Sequence, residues 1–163
     1  MDDCLQEKYA PHSACFGCGP SNPKGLRIRS IPAESEAPWA EGKQSATFAE
    51  WQPLVEHEAF PGMLNGGITG ALLDCHSNWT AAWHLMRVRG EQTPPCTVTA
   101  DFHVKLLRPT PTAGTIRVEA WVAGQDGDSV QIESQLIAGG KVTAKCSGRF
   151  VAVKPGHPAY HRW

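Results

Sequence analysis

From Ile68 onward the spacing of apolar residues changes once, and that change restricts the fold more than any other feature. Ile68, Ala71, Leu72, Cys75, Trp79, Ala82, Trp83 and Met86 recur at intervals of three and four, which is one face of an amphipathic helix. Downstream the interval becomes two. Val98, Ala100, Phe102, Val104 and Leu106 alternate with Thr97, Thr99, Asp101, His103 and Lys105, which predicts a long strand with one buried face. The alternation returns in Ile116, Val118, Ala120 and Val122, then in Val130, Ile132, Ser134 and Leu136, and last in Val142, Ala144, Cys146, Gly148, Phe150 and Ala152. Asp126-Gly127 and Gly139-Gly140 supply the positive φ that tight hairpins need, so the last three strands are expected to form an antiparallel meander.

Before the helix, residues 26–31 and 44–48 are weaker strand candidates. The expected order is two strands, one long helix and four strands. A helix lying on an antiparallel sheet buries both apolar surfaces, which gives an α+β class. The stretches rich in Pro and Gly fall between these elements and read as loops, not as a linker between two domains. At 163 residues the chain fits one domain with a core that needs no disulfides.

The charge balance removes some functions. Fifteen Lys and Arg against sixteen Asp and Glu leave a net charge of -1 and no broad basic surface, so nucleic acid is not an expected partner. The first residues carry Asp2, Asp3, Glu7 and Lys8 and lack the apolar run of a signal peptide, and no stretch approaches a membrane span. The expectation is a cytoplasmic protein whose six cysteines are reduced thiols.

Chemistry concentrates around the helix. Phe60-Pro61-Gly62-Met63-Leu64-Asn65-Gly66-Gly67 leads directly into it, and two glycines at a helix start leave amides that a ligand can approach closely. Such amides can hold a developing oxyanion, or Asn65 can simply cap the helix. Asp74 lies among Leu72, Leu73 and Cys75, where a carboxylate has little local reason to exist. Gly66 and Asp74 are eight residues apart on one helix, roughly 12 Å at the usual rise. They cannot meet at one carbonyl carbon, whereas an antiparallel copy of the helix across a two-fold axis can bring Asp74 of one subunit to the Gly66 end of the other.

Cys75 beside His76 does not make a nucleophile and base, because adjacent helical residues point about 100° apart. Cys75 belongs to the apolar stripe. Cys15-Phe16-Gly17-Cys18-Gly19 carries a Cys-x-x-Cys pair, half of a zinc site. His12, His57, His76 and Cys96 are the residues considered to complete it, but none has diagnostic spacing, and a reduced, packed turn is the preferred reading. No metal ligand is therefore assigned.

Asn65-Gly66-Gly67, then Leu72-Leu73-Asp74, then Ala100-Asp101-Phe102-His103-Val104-Lys105-Leu106-Leu107-Arg108-Pro109 together resemble the PaaI-like branch of hotdog thioesterases, over residues 15–153. The family pattern is His-Gly-Gly, an Asp nine residues after that His, and a strand ending in Arg-Pro or Ser-Pro. The resemblance implies a hotdog fold, an antiparallel sheet wrapped around one long central helix. It also implies acyl-CoA hydrolysis by a homodimer or homotetramer without a dissociable cofactor. Its site residues carry over as Asp74, the nucleophile or general base, the Gly66 amide, which polarises the carbonyl, and Thr99, which assists.

Asn65 stands where the family more often has His; it can donate a hydrogen bond but can carry no proton chemistry. Some relatives place Asn or Gln seven residues before the first Gly, where this chain has Ala59. His57 and Glu58 are the nearby polar residues for that position, and Gly67 adds a second amide. His103, Lys105 and Arg108 offer cations to the phosphates of coenzyme A, or simply a solvated strand face. The division expected is a 1–25 extension holding the Cys-x-x-Cys turn, a 26–154 hotdog domain and a 155–163 tail. Two rival readings are a non-catalytic acyl-CoA binding module and a hotdog enoyl-CoA hydratase. An acyl carrier protein thioester is a further substrate open to the enzyme reading.

Overall fold

The computed structural model describes residues 4–33 and 44–161. One helix, α2 (Gly66–Arg89), runs along an antiparallel sheet formed by β1 (Ile31–Pro32), β2 (Gln44–Trp51), β5 (Thr97–Leu106), β6 (Ile116–Asp126), β7 (Ser129–Ala138) and β8 (Lys141–Ala152). The strand order is β1-β2-β6-β7-β8-β5, so the strand that directly follows the helix closes one edge. A short helix, α1 (Leu5–Tyr9), precedes the sheet, and β3 (Glu58–Phe60) and β4 (Met63–Leu64) pair in the loop before α2.

The helix starts and stops where its side chains dictate. Asn65 Oδ1 accepts from the Gly67 and Ile68 amides at 2.8 and 3.2 Å, and Gly90 ends the helix with φ 66°, a conformation that costs glycine little. The meander follows the alternation in the sequence. Ile116, Val118, Val130, Ile132, Leu136 and Phe150 are all fully buried against Leu72, Leu73, Ala81 and Leu85 of the helix. Its turns are at Gly127 (φ 58°), Gly139 (φ 58°) and Gly140 (φ 72°).

Burial on α2 extends well beyond the stripe read from the sequence, because a second layer covers its other side. Leu5 and Ala10 pack on Trp79, Trp83 and Met86. Between the layers runs a chain of buried polar contacts. Gln6 Nε2 donates to Ser30 Oγ (2.8 Å), which bonds His76 Nδ1 (2.8 Å), while His76 Nε2 bonds Thr47 Oγ1 (3.0 Å), itself bonded to Thr80 Oγ1 (2.7 Å). Each buried polar group here has a partner, which removes most of its desolvation cost. Burial still pushes the His76 imidazole down to about 4.

Two expectations need correction. The strand expected over 26–31 is reduced to Ile31–Pro32, because the preceding amides are taken elsewhere: Leu26 N donates to Phe16 O, Ile28 N to Gly17 O, and Ser30 N to Gln6 Oε1. The segment is extended but bonds to the amino-terminal turns instead of a strand. In β5 the simple alternation also fails. Thr99 pairs with Phe150 and Asp101 with Arg149, so Ala100 is an extra residue in a bulge. The bulge puts Thr99 on the same sheet face as Phe102 and Val104, and Phe102 and Leu106 remain 44% and 60% exposed.

Candidate active site

The bulge in β5 determines how strand and helix face one another. Thr97 meets Asn78, Thr99 meets Asp74, and Phe102 and Leu106 lie over Gly70 and Gly66. Helix positions four apart thus face inward positions of the strand, with Val104 left between the two that lie over Gly70 and Gly66. From Asn78 to Asp74 the helix rises about 6 Å and from Thr97 to Thr99 the strand advances about 6.6 Å, so the two repeats nearly match over that step.

At the middle of this seam Thr99 Oγ1 donates to Asp74 Oδ1 at 2.6 Å. The second carboxylate oxygen has no hydrogen-bond partner among the described residues. Burial raises the Asp74 carboxyl above the ordinary carboxylate range; the Thr99 hydrogen bond opposes the shift, and negative charge on Cys15 adds to it. Asp74 and Thr99 line a cavity of about 510 Å³ together with Asn78, Cys15 and Ala159. A half-buried carboxylate with one oxygen positioned and the other free can attack an electrophilic carbon or take a proton from water.

The helix start offers the complementary chemistry. Asn65 Oδ1 is engaged in capping, and its Nδ2 has no partner among the described residues. The Gly66 amide likewise has none there, and Asn65, Gly66 and Gly67 are all exposed. Helix geometry separates Gly66 from Asp74 by roughly 12 Å, so one chain does not bring them to one atom.

The remaining sequence candidates lie elsewhere. His57 Nδ1 accepts from the Leu54 amide at 2.9 Å and its ring packs 4.9 Å from that of Trp51, while Glu58 Oε1 accepts from Thr112 Oγ1 at 2.7 Å. Both hold the loop before α2, and neither lines the Asp74 cavity. His103, Lys105 and Arg108 are exposed on and just beyond the edge strand.

Asn78 and Ala159 contribute to the cavity without having been singled out in the sequence. Asn78, one turn beyond Asp74, donates from Nδ2 to Thr97 O at 3.3 Å and leaves Oδ1 buried without a hydrogen bond. Its spacing of four from Asp74 was the available signal. Ala159 arrives from the carboxy-terminal tail, which no local pattern announces. Cys75, assigned to the apolar stripe, does touch the core but also meets the 15–18 turn. Cys15 is held well below the ordinary thiol range by hydrogen bonds from Cys18 and Cys75. Those two thiols are pushed up by the same interaction, Cys18 to about 12.

No protein-family model matches the chain, and no curated protein does. Solved structures match it by shape. A thioesterase superfamily protein superposes with a TM-score of 0.67 at 18% identity over 85% of this chain, which spans only 60% of that protein's length. A thioesterase superfamily protein from Shewanella loihica PV-4 gives 0.58 at 24% identity, covering 74% of this chain and 99% of the other. The E. coli PaaI protein from the phenylacetic acid degradation operon gives 0.58 at 13%, covering 68% and 75%. At these identities the likeness establishes the fold: this is a hotdog, an antiparallel sheet around one long helix, shared with PaaI and other thioesterase superfamily proteins.

Proposed function

We propose that the chain is a thioesterase that hydrolyses an acyl-CoA to the free acid and coenzyme A, with Asp74 as its reacting carboxylate. The observation that carries this reading is the 2.6 Å hydrogen bond from Thr99 to Asp74 at a half-buried point of the helix, beside a cavity. In one form of the mechanism Asp74 attacks the thioester carbon, the thiol leaves, and water opens the resulting anhydride. In the other, Asp74 takes a proton from the water that attacks. Thr99 orients the carboxylate in both, and the Gly66 amide stabilises the oxyanion.

The distance from Gly66 to Asp74 supports a site built from two subunits, so the working unit is a homodimer or a homotetramer. Exposed Phe102, Leu106 and Leu107 along and just past the open edge of β5 support such pairing. His103, Lys105 and Arg108 lie on that strand and just beyond it, where cations suit coenzyme A phosphates. His57, Glu58 and Gly67 flank the helix start as further substrate contacts, Gly67 only through the open approach that a missing side chain allows, since its amide is taken by the Asn65 cap. Among the described residues no helix is long and apolar enough to cross a membrane.

The test is thiol release from a panel of short, long and aromatic acyl-CoAs. Turnover of at least one, abolished by Asp74→Asn, is expected. Tight binding of the panel without thiol release would make the chain a binding module, and hydration of an enoyl-CoA without thiol release would make it a hydratase.

A further inference from the structure

Three sulfurs from two distant parts of the chain converge beside the Asp74 cavity. Cys15 and Cys18 come from the amino-terminal turn and Cys75 from α2, and the three Sγ atoms lie within 4.8 Å of one another. Cys15 and Cys75 are 3.9 Å apart. A tetrahedral zinc ion with Zn–S bonds of about 2.3 Å sets its sulfurs roughly 3.8 Å apart, so the group needs only slight contraction to hold one.

The convergence is built into the backbone. A β carbon at Gly17 would lie 2.3 Å from Cys75 Sγ, and one at Gly19 would lie 2.4 Å from the Cys15 nitrogen. Only glycine at both positions lets the turn fold tightly and seat on the helix. The turn is fixed by Gly19 N to Cys15 O (2.9 Å), Leu26 N to Phe16 O (2.7 Å) and Ile28 N to Gly17 O (3.1 Å). The Trp79 indole N–H donates to Cys18 Sγ at 3.3 Å, the kind of outer contact that orients a metal-bound thiolate.

A disulfide would use two of these sulfurs and leave the third idle, whereas a thiophilic divalent ion uses all three. We propose that Cys15, Cys18 and Cys75 bind a zinc ion whose fourth position opens toward the cavity lined by Asp74. Among the described residues no fourth Cys, His, Asp or Glu joins the group, so water or a small solute fills that position. The ion fastens the amino-terminal turn to α2 and fixes the cavity wall formed by Ser13, Ala14 and Cys15. This site does not depend on the thioesterase reading.

The experiment uses the full chain, purified with a thiol reductant and without chelator, and measures metal content and cobalt(II) uptake. One zinc per chain is expected, with a thiolate-to-cobalt charge-transfer band on substitution. Cys15→Ser and Cys75→Ser should lose the stoichiometric ion, and Cys96→Ser should keep it. Chelator-stripped wild type should regain thermal stability as zinc is returned, because an ion that binds only the folded chain stabilises it. If the serine variants fail to fold, the wild-type titration decides by itself. The proposal is overturned if folded, stripped wild type takes up neither zinc nor cobalt, if Cys75→Ser binds as much metal as wild type, or if a disulfide among these cysteines persists under reductant in a metal-free chain.

Discussion

Thr99 reaches Asp74 because Ala100 is an extra residue in the edge strand: without that bulge, Thr99 and Phe102 would face opposite sides of the sheet. The 2.6 Å bond therefore depends on backbone register, and the carboxylate it holds is one that burial makes costly to ionise.

Asp74→Asn should keep the fold and substrate binding while losing about 10²-fold to 10⁴-fold in turnover, the span typical of a general base. The variant should melt at the same temperature or higher, because a carboxyl raised by burial weakens the folded state once ionised. Thiol release and circular dichroism melts on the same samples test both halves. Near-normal turnover would remove Asp74 from the mechanism.

Thr99→Ala should slow turnover less than Asp74→Asn, and Thr99→Ser, which retains the hydroxyl, should recover most of the loss. Mass spectrometry after rapid quench should find no acyl adduct on Thr99 or Cys75. An adduct on either would reassign the nucleophile.

Gly66→Pro and Asp74→Ala should each be inactive and should complement one another. Proline is tolerated in the first turn of a helix, and an added β carbon at Gly66 meets only the flexible end of Leu106, at 3.3 Å. In a mixed dimer one site carries both lesions and the other neither. Random reassociation makes about half the dimers mixed, so roughly a quarter of wild-type activity should return. Mixed dimers of folded chains that stay inactive would refute the shared site.

His76 predicts a pH-dependent stability. Its folded-state value is about 4, against 6.5 for the free side chain, so between those values the unfolded chain binds a proton that the folded chain does not. Its contribution should be undiminished above pH 6.5 and fall as pH drops toward 4, by up to ~3 kcal/mol. Urea denaturation across this window should show a shallower decline for His76→Gln than for wild type.

The helix and the meander were legible because their apolar periods are long and uninterrupted. The bulge was not, because an inserted residue changes which face a side chain takes without changing composition. Asp74 stood out as a charge among apolar neighbours, yet Thr99 could be attached to it only through a family resemblance. Cys75 is a small apolar residue at a helical interval, and nothing local reveals that a turn far earlier in the chain presents two more sulfurs to it. Residues 26–31 alternate well enough for a strand, but their amides go to partners that sequence patterns cannot name.

The chain from Gln6 through Ser30 to His76 has a practical meaning for anyone shortening the protein. A truncation beginning after Pro11 would look harmless, since it removes a five-residue helix and polar flanks. It would instead uncover Trp79, Trp83 and Met86 and strip Ser30 of its Gln6 contacts. The exposed indoles would favour clumping, and the loss would appear first as poor yield, well before any assay of activity.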